Sequence, residues 1–325
     1  MILKLLIANR KAGYILIPVV VLFVWAIHSF LNPETPPGDQ GSLTGLLGYT
    51  TLFENVFVGR ITFFVLLLLN GILVVRINRQ YVLSHSKSVL PAIIFIFLTS
   101  VVPGYRDCYT VWISVTFLLI GIEFLFVSFD ERKPYSWLFN AGFFLGVASC
   151  FYIDLVVLVP AFMIGGWFLA RDSHWREYLL PLMGFLVPWI LVPSVYFLTD
   201  HTPRMIGVFL FSIHSGDQPF FQNTTMVVFL SFLAFFTILG SYKMILVYDE
   251  KKISYRKYFI LFFIMFISLV LAFILVPAVT GEIFTVSALP VSFLLSNFFD
   301  SVRRPLVSEI MFLLFLAVVF YLQFS

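Results

Sequence analysis

Charge is scarce in this chain. Only 11% of its 325 residues are Asp, Glu, Lys or Arg, against 61% hydrophobic, and its mean hydropathy is +1.01. That balance excludes a soluble globule and leaves an integral membrane protein. Histidine is scarce as well. His28, His85, His174, His201 and His214 fall in separate segments, with no HxxxH or HExxH spacing. A multi-histidine metal centre is thereby excluded, and no metal ligand is assigned. Cys108 and Cys150 are the only cysteines. Both are placed near one outer face, where a disulfide could form, although two unpaired, partly buried thiols are the expected state. There is no Walker loop, GxGxxG fingerprint or GxSxG elbow, so no cytosolic nucleotide site is encoded. Nor is there a basic tract interleaved with aromatics, which removes nucleic acid as a partner. No stretch reads as a soluble domain, and residues 1–325 are taken as a single membrane domain.

Phenylalanine, with 41 residues, is abundant instead, and a lipid-facing surface accounts for it. Hydropathy gives about eleven apolar runs, near 14–31, 57–75, 89–105, 110–129, 137–153, 155–170, 178–198, 225–246, 258–276, 283–299 and 306–323. The first follows Lys4, Arg10 and Lys11 and lacks a small-x-small cleavage site, so it reads as an uncleaved span. With the N-terminus cytoplasmic, every one of the 20 Lys and Arg residues except Arg60, Arg106 and Arg204 falls inside. That asymmetry supports the count, because dropping one span would invert every later loop. The C-terminus then lies on the periplasmic side. The fold class expected is an all-α polytopic transmembrane bundle.

The stretch from Trp137 to Arg171, WLFNAGFFLGVASCFYIDLVVLVPAFMIGGWFLAR, sets the parity of the whole. It contains two apolar runs, each of about 17 residues, the lower limit for a span, separated by Asp154. One straight helix would carry Asp154 to bilayer depth; a hairpin leaves it in water at the turn. The hairpin is the expected form. Gly142, Gly146, Ala148, Ser149, Gly165 and Gly166 allow close helix packing within it.

Chemistry is sought on the outer face. Two long loops lie there, 32–56 and 199–223, and long ordered loops tend to carry function. The first holds Glu34, Asp39 and Glu54; the second holds Asp200, His201, Arg204, His214 and Asp217 around an apolar segment, Met205–Ile213, expected to lie along the interface. Arg60, Arg106, Asp154 and Glu282 sit at the same membrane level. The three outer arginines are cations where topology asks for none, and arginine binds phosphate through paired hydrogen bonds. Lipid-linked phosphate or diphosphate is the ligand class this suggests. Pro181, Pro188 and Pro193 would kink the seventh span and could shape a cavity. Within the membrane, Glu123 has no evident partner, while Lys243 and Glu309 lie near cytoplasmic ends. With few buried charges and no inverted repeat, an ion-coupled pump is disfavoured.

The hairpin, the following WREYLLPLMGFLVPWILVPSVYFLTD and the late VSALPVSFLLSNFF resemble the GT-C superfamily of multipass glycosyltransferases. NRKAGYILIPVV, SVLPAIIFIFLTS and the hairpin resemble an uncharacterised Bacteroidetes family of multipass inner-membrane proteins, which implies no established activity. The GT-C resemblance implies a polyprenyl-phosphate-sugar-dependent transfer at the periplasmic face of the inner membrane, in envelope biogenesis. Asp39 or Glu34 would then be the catalytic base or ligand of a divalent cation, with Asp154 positioning the groups. Arg60, Arg106, Arg204, His201 and Glu282 would bind substrate. The chain departs from that pattern in lacking a paired acidic motif after the first span and a basic residue in the hairpin turn, where it has Tyr152-Ile153-Asp154. These departures keep two other readings open: a non-catalytic envelope-assembly scaffold, and a transporter or flippase.

Overall fold

A computed structural model of the chain describes residues 12–31, 56–83, 88–100, 109–170, 175–214, 253–275, 282–301 and 305–324, with isolated positions between 231 and 241. Among the described residues every regular element is helical and no strand occurs. In chain order these are α1 (Ala12–Leu31), α2 (Val56–Tyr81), α3 (Leu90–Ser100), α4 (Tyr109–Val127) and α5 (Tyr135–Phe151). A 3₁₀ turn follows (Ile153–Leu158), then α6 (Val159–Leu169), α7 (Trp175–Leu198), α8 (Thr202–His214), α9 (Ile253–Leu275), α10 (Ile283–Ser301) and α11 (Pro305–Phe324). Four of the described helices, those at Val58–Tyr81, Tyr109–Val127, Trp175–Leu198 and Ile253–Leu275, are long and apolar enough to cross a membrane. This is a membrane protein.

The hairpin is present as a reversal of the chain. Tyr152, in an extended conformation, ends α5, and the return brings Leu138 at the start of α5 against Gly166 near the end of α6. The returning arm is not one helix over 155–170, however. It opens as a 3₁₀ turn and becomes α-helical only at Val159, beside Pro160. Proline has no N–H to donate and a φ preset for helix, so it sits well in a first turn and poorly further in.

Two kinds of packing hold the bundle. Helices α5 and α7 run parallel, with Gly142 facing Pro181, Gly146 facing Phe185 and Pro188, and Ser149 facing Trp189. A Cβ added at Gly142 would lie 1.9 Å from the carbonyl oxygen of Pro181, and one added at Gly184 would lie 2.0 Å from that of Phe139. Backbone therefore meets backbone, as small residues permit inside a membrane. Helices α3 and α10 form the interior. Every residue of α3 is buried, as are positions 283–299 of α10. Five of their hydroxyls bond their own helix: Thr99 donates to the carbonyl of Phe95, Ser100 to Phe97, Ser287 to Phe284, Ser292 to Leu289 and Ser296 to Phe293. Satisfied in this way, a hydroxyl can lie buried at little cost.

Candidate functional site

Side-chain contacts fix the direction in which each helix runs. Asn70 donates to the carbonyl of Trp112 and Arg76 pairs with Glu123, so α2 and α4 are parallel. Phe117 stacks on Phe151 and Phe124 on Trp137, so α4 and α5 are antiparallel. Phe262 stacks on Phe293, while Tyr255 donates to Asn297 at 2.6 Å, so α9 and α10 are antiparallel too. The starts of α2, α4 and α10 and the ends of α5, α7 and α9 therefore share one end of the bundle. Arg60, Asp154, His201, Arg204 and Glu282 all belong to it.

Each is held there by its local fold. Arg60 lies in the first turns of α2, and its carbonyl accepts the indole N–H of Trp25 at 3.0 Å, which ties α1 to that end. Asp154 occupies the first turn of the 3₁₀ helix, beside the buried Tyr152. His201 is exposed in the turn between α7 and α8, with its ring Nδ1 against the carbonyl of Thr199. Arg204 is in the first turn of α8. That helix is held to the bundle by an edge-on contact between Trp189 and Phe209, and Trp189 in turn donates to Ser149 at 2.7 Å. Glu282, only 4% exposed, precedes α10, and its carbonyl accepts the N–H of Thr285.

Below Glu282 an apolar groove of about 280 Å³ runs between α9 and α10. Phe266, Leu269, Val270, Phe273 and Ile274 form one wall, Ile283, Phe284 and Ser287 another, and Ser231, Leu233 and Ala234 the third.

The opposite end is rich in cations: Arg76 and Arg79 on α2, Arg132 and Lys133 before α5, Arg176 on α7, and Arg256 and Lys257 on α9. Lys257 is spread over the rings of Phe129 and Phe168 at 5.5 and 5.2 Å. Here one expectation is corrected. Glu123 does have a partner: Arg76 bonds it at 2.8 Å, and Tyr81 reaches its backbone carbonyl at 3.5 Å. Because α2 and α4 are parallel, residues 47 apart in sequence share one level.

A family model matches residues 45–325. The chain belongs to DUF6427, a family of unknown function. No curated protein and no solved structure matches it. The DUF6427 match begins after α1 and takes in every later helix described above.

In this DUF6427 chain the two alternative catalytic carboxylates, Asp39 or Glu34, lie outside the described residues, as do Arg106 and Cys108. Cys150 is a free, buried thiol. Among the described residues no group of three or more His, Cys, Asp or Glu could hold a metal ion. Sequence reasoning passed over Glu177, which is 3% exposed in the first turn of α7. Its place in the first turn of a helix, where unpaired backbone N–H groups and the positive end of the dipole attract a carboxylate, was the available signal. The groove was likewise not anticipated, since its three walls are distant in sequence.

Proposed function

We propose that this DUF6427 chain is a GT-C-like protein of the bacterial inner membrane that handles a lipid-linked glycan, a polyprenyl-phosphate sugar, at the periplasmic face. In this reading about eleven spans run from a cytoplasmic N-terminus to a periplasmic C-terminus, and glycosyl transfer in envelope biogenesis is the activity. The observation that carries it is the sorting of charge. Arg60 and Arg204 share the cation-poor end with Asp154, His201 and Glu282, while the other end holds the cation-rich segments on α2, α7 and α9. The positive-inside rule makes the cation-rich end cytoplasmic. The arginines at the other end are then free of a topological duty and suited to phosphate.

Within this proposal Arg60, Arg106 and Arg204 hold the phosphate, His201 and Glu282 meet the sugar, and Asp154 positions the groups. Asp39 or Glu34 supplies the base for the acceptor. The test is mass spectrometry of lipids that co-purify with the protein, set against a variant with Arg60, Arg106 and Arg204 all changed to Ala. A polyprenyl phosphate or glycolipid kept by the parent and lost by the variant is the expected result. Bulk phospholipid alone in both samples would sink the phosphate site and favour the scaffold. Asp39→Asn and Glu34→Gln, normally expressed and inactive, would mark the enzyme.

A further inference from the structure

We infer that the groove between α9 and α10 is a binding site for one acyl chain of a periplasmic-leaflet phospholipid with an amine-bearing headgroup. The inference uses the membrane orientation above; it takes Glu282 for the headgroup in place of the sugar contact given to it there, and it needs no glycan.

Three observations carry it. The first is where the groove opens. Val270 and Ile274 line it and are 37% and 66% exposed, so its mouth faces whatever surrounds the bundle, which in a bilayer is hydrocarbon. The second is its length. The α9 wall runs from Phe266 to Ile274. At 1.5 Å per residue that wall is about 12 Å long, close to the roughly 15 Å depth of one leaflet's hydrocarbon. A single acyl chain entering at headgroup level fills such a slot, whereas a long isoprenoid chain would overrun it. The third is charge. Glu282 immediately precedes the groove wall at Ile283, at the outer end. A carboxylate at headgroup level, working through a partly apolar medium, repels a net anionic headgroup and attracts an ammonium. Phosphatidylethanolamine, zwitterionic and amine-bearing, meets both demands; phosphatidylglycerol, net anionic and without an amine, meets neither.

The test uses the full chain in nanodiscs of the two lipids, doped with a phosphatidylethanolamine that carries a diazirine midway along one acyl chain. After photolysis, labelled peptides are mapped by mass spectrometry. Label is expected to concentrate on the α9 and α10 walls. Val270→Trp, which adds bulk at an exposed position without entering the core, should cut that label about fivefold, an effect of about 1 kcal/mol. Ala234→Phe, filling the groove from the third wall, should do the same, and Ile190→Trp on the exposed face of α7 should leave it unchanged. Label spread evenly over the exposed faces of α7 and α9, or surviving both filling variants, would overturn the site. Equal labelling by a phosphatidylglycerol probe would overturn the headgroup assignment. Groove label retained while no glycolipid co-purifies would count against the glycan reading alone.

Discussion

The α5–α7 seam and the α3–α10 pair are both buried helix contacts, made from opposite materials. In the seam, Gly142 and Gly184 bring the backbones together, so the contact is fixed by what is missing from the side chains. Around the pair, the space is filled: Phe95, Phe293 and Phe299 are all but fully buried, and each meets a ring on a neighbouring helix, Phe95 with Trp112 of α4, Phe293 with Phe262 of α9 at 4.4 Å between centroids, and Phe299 with Phe312 of α11. Water does not drive helices together inside a bilayer, so both contacts depend on close van der Waals fit. The difference is the direction in which each fails. The seam tolerates no added atom; the pair tolerates no lost one.

Breaking the seam should have the largest effect. Gly142→Leu or Gly184→Leu would drive a side chain into a backbone carbonyl that cannot rotate away, and no monodisperse protein is expected by fluorescence-detected size exclusion. Even Gly184→Ala should cost about 3 kcal/mol, at the upper part of the overpacking range, read as a fall in Tm in detergent. Phe293→Ala attacks the filled packing around the pair, through the contact of α10 with α9. A cavity beside Phe262 should cost about 3 kcal/mol, while Phe293→Leu, which returns much of the volume, should recover more than half of it. Arg76→Ala should change stability by less than about 1 kcal/mol, because the Arg76 side chain is 60% exposed and such pairs contribute little. Ser292→Ala should be smaller still, about 0.5 kcal/mol or less, since its hydroxyl bonds only its own helix. Gly207→Ala sharpens the comparison. Nothing lies within 4 Å of a Cβ there, so a small gain from helix propensity is expected where the seam glycines show a loss.

How much of this could be read beforehand depends on distance along the chain. The reversal at Tyr152 was legible because its cause is local: a lone carboxylate between two apolar runs, which a straight helix would bury. The small residues of α5 were legible as a packing surface. Their partner was not, because any helix could have met them and only the fold pairs Gly142 with Pro181. The Arg76–Glu123 bond was hidden for the same reason. Each residue had a sufficient separate explanation, and the parallel run of α2 and α4 that joins them is no property of either segment. The break at Val159 was written in Pro160, but an apolar run masks a change of helix type that leaves hydropathy unaltered. Of the candidate site, the shared level of Arg60, Asp154, His201 and Glu282 followed from counting reversals, whereas the groove required three segments in space.

The parallel run of α5 and α7 has a consequence in time. Neighbouring antiparallel helices can close on each other as soon as the second leaves the ribosome. Parallel ones cannot, because α6 must first carry the chain back to the starting side. Gly142 therefore waits until Gly184 has been made, and the closest backbone approach among the described glycines is one that the chain's own synthesis must postpone.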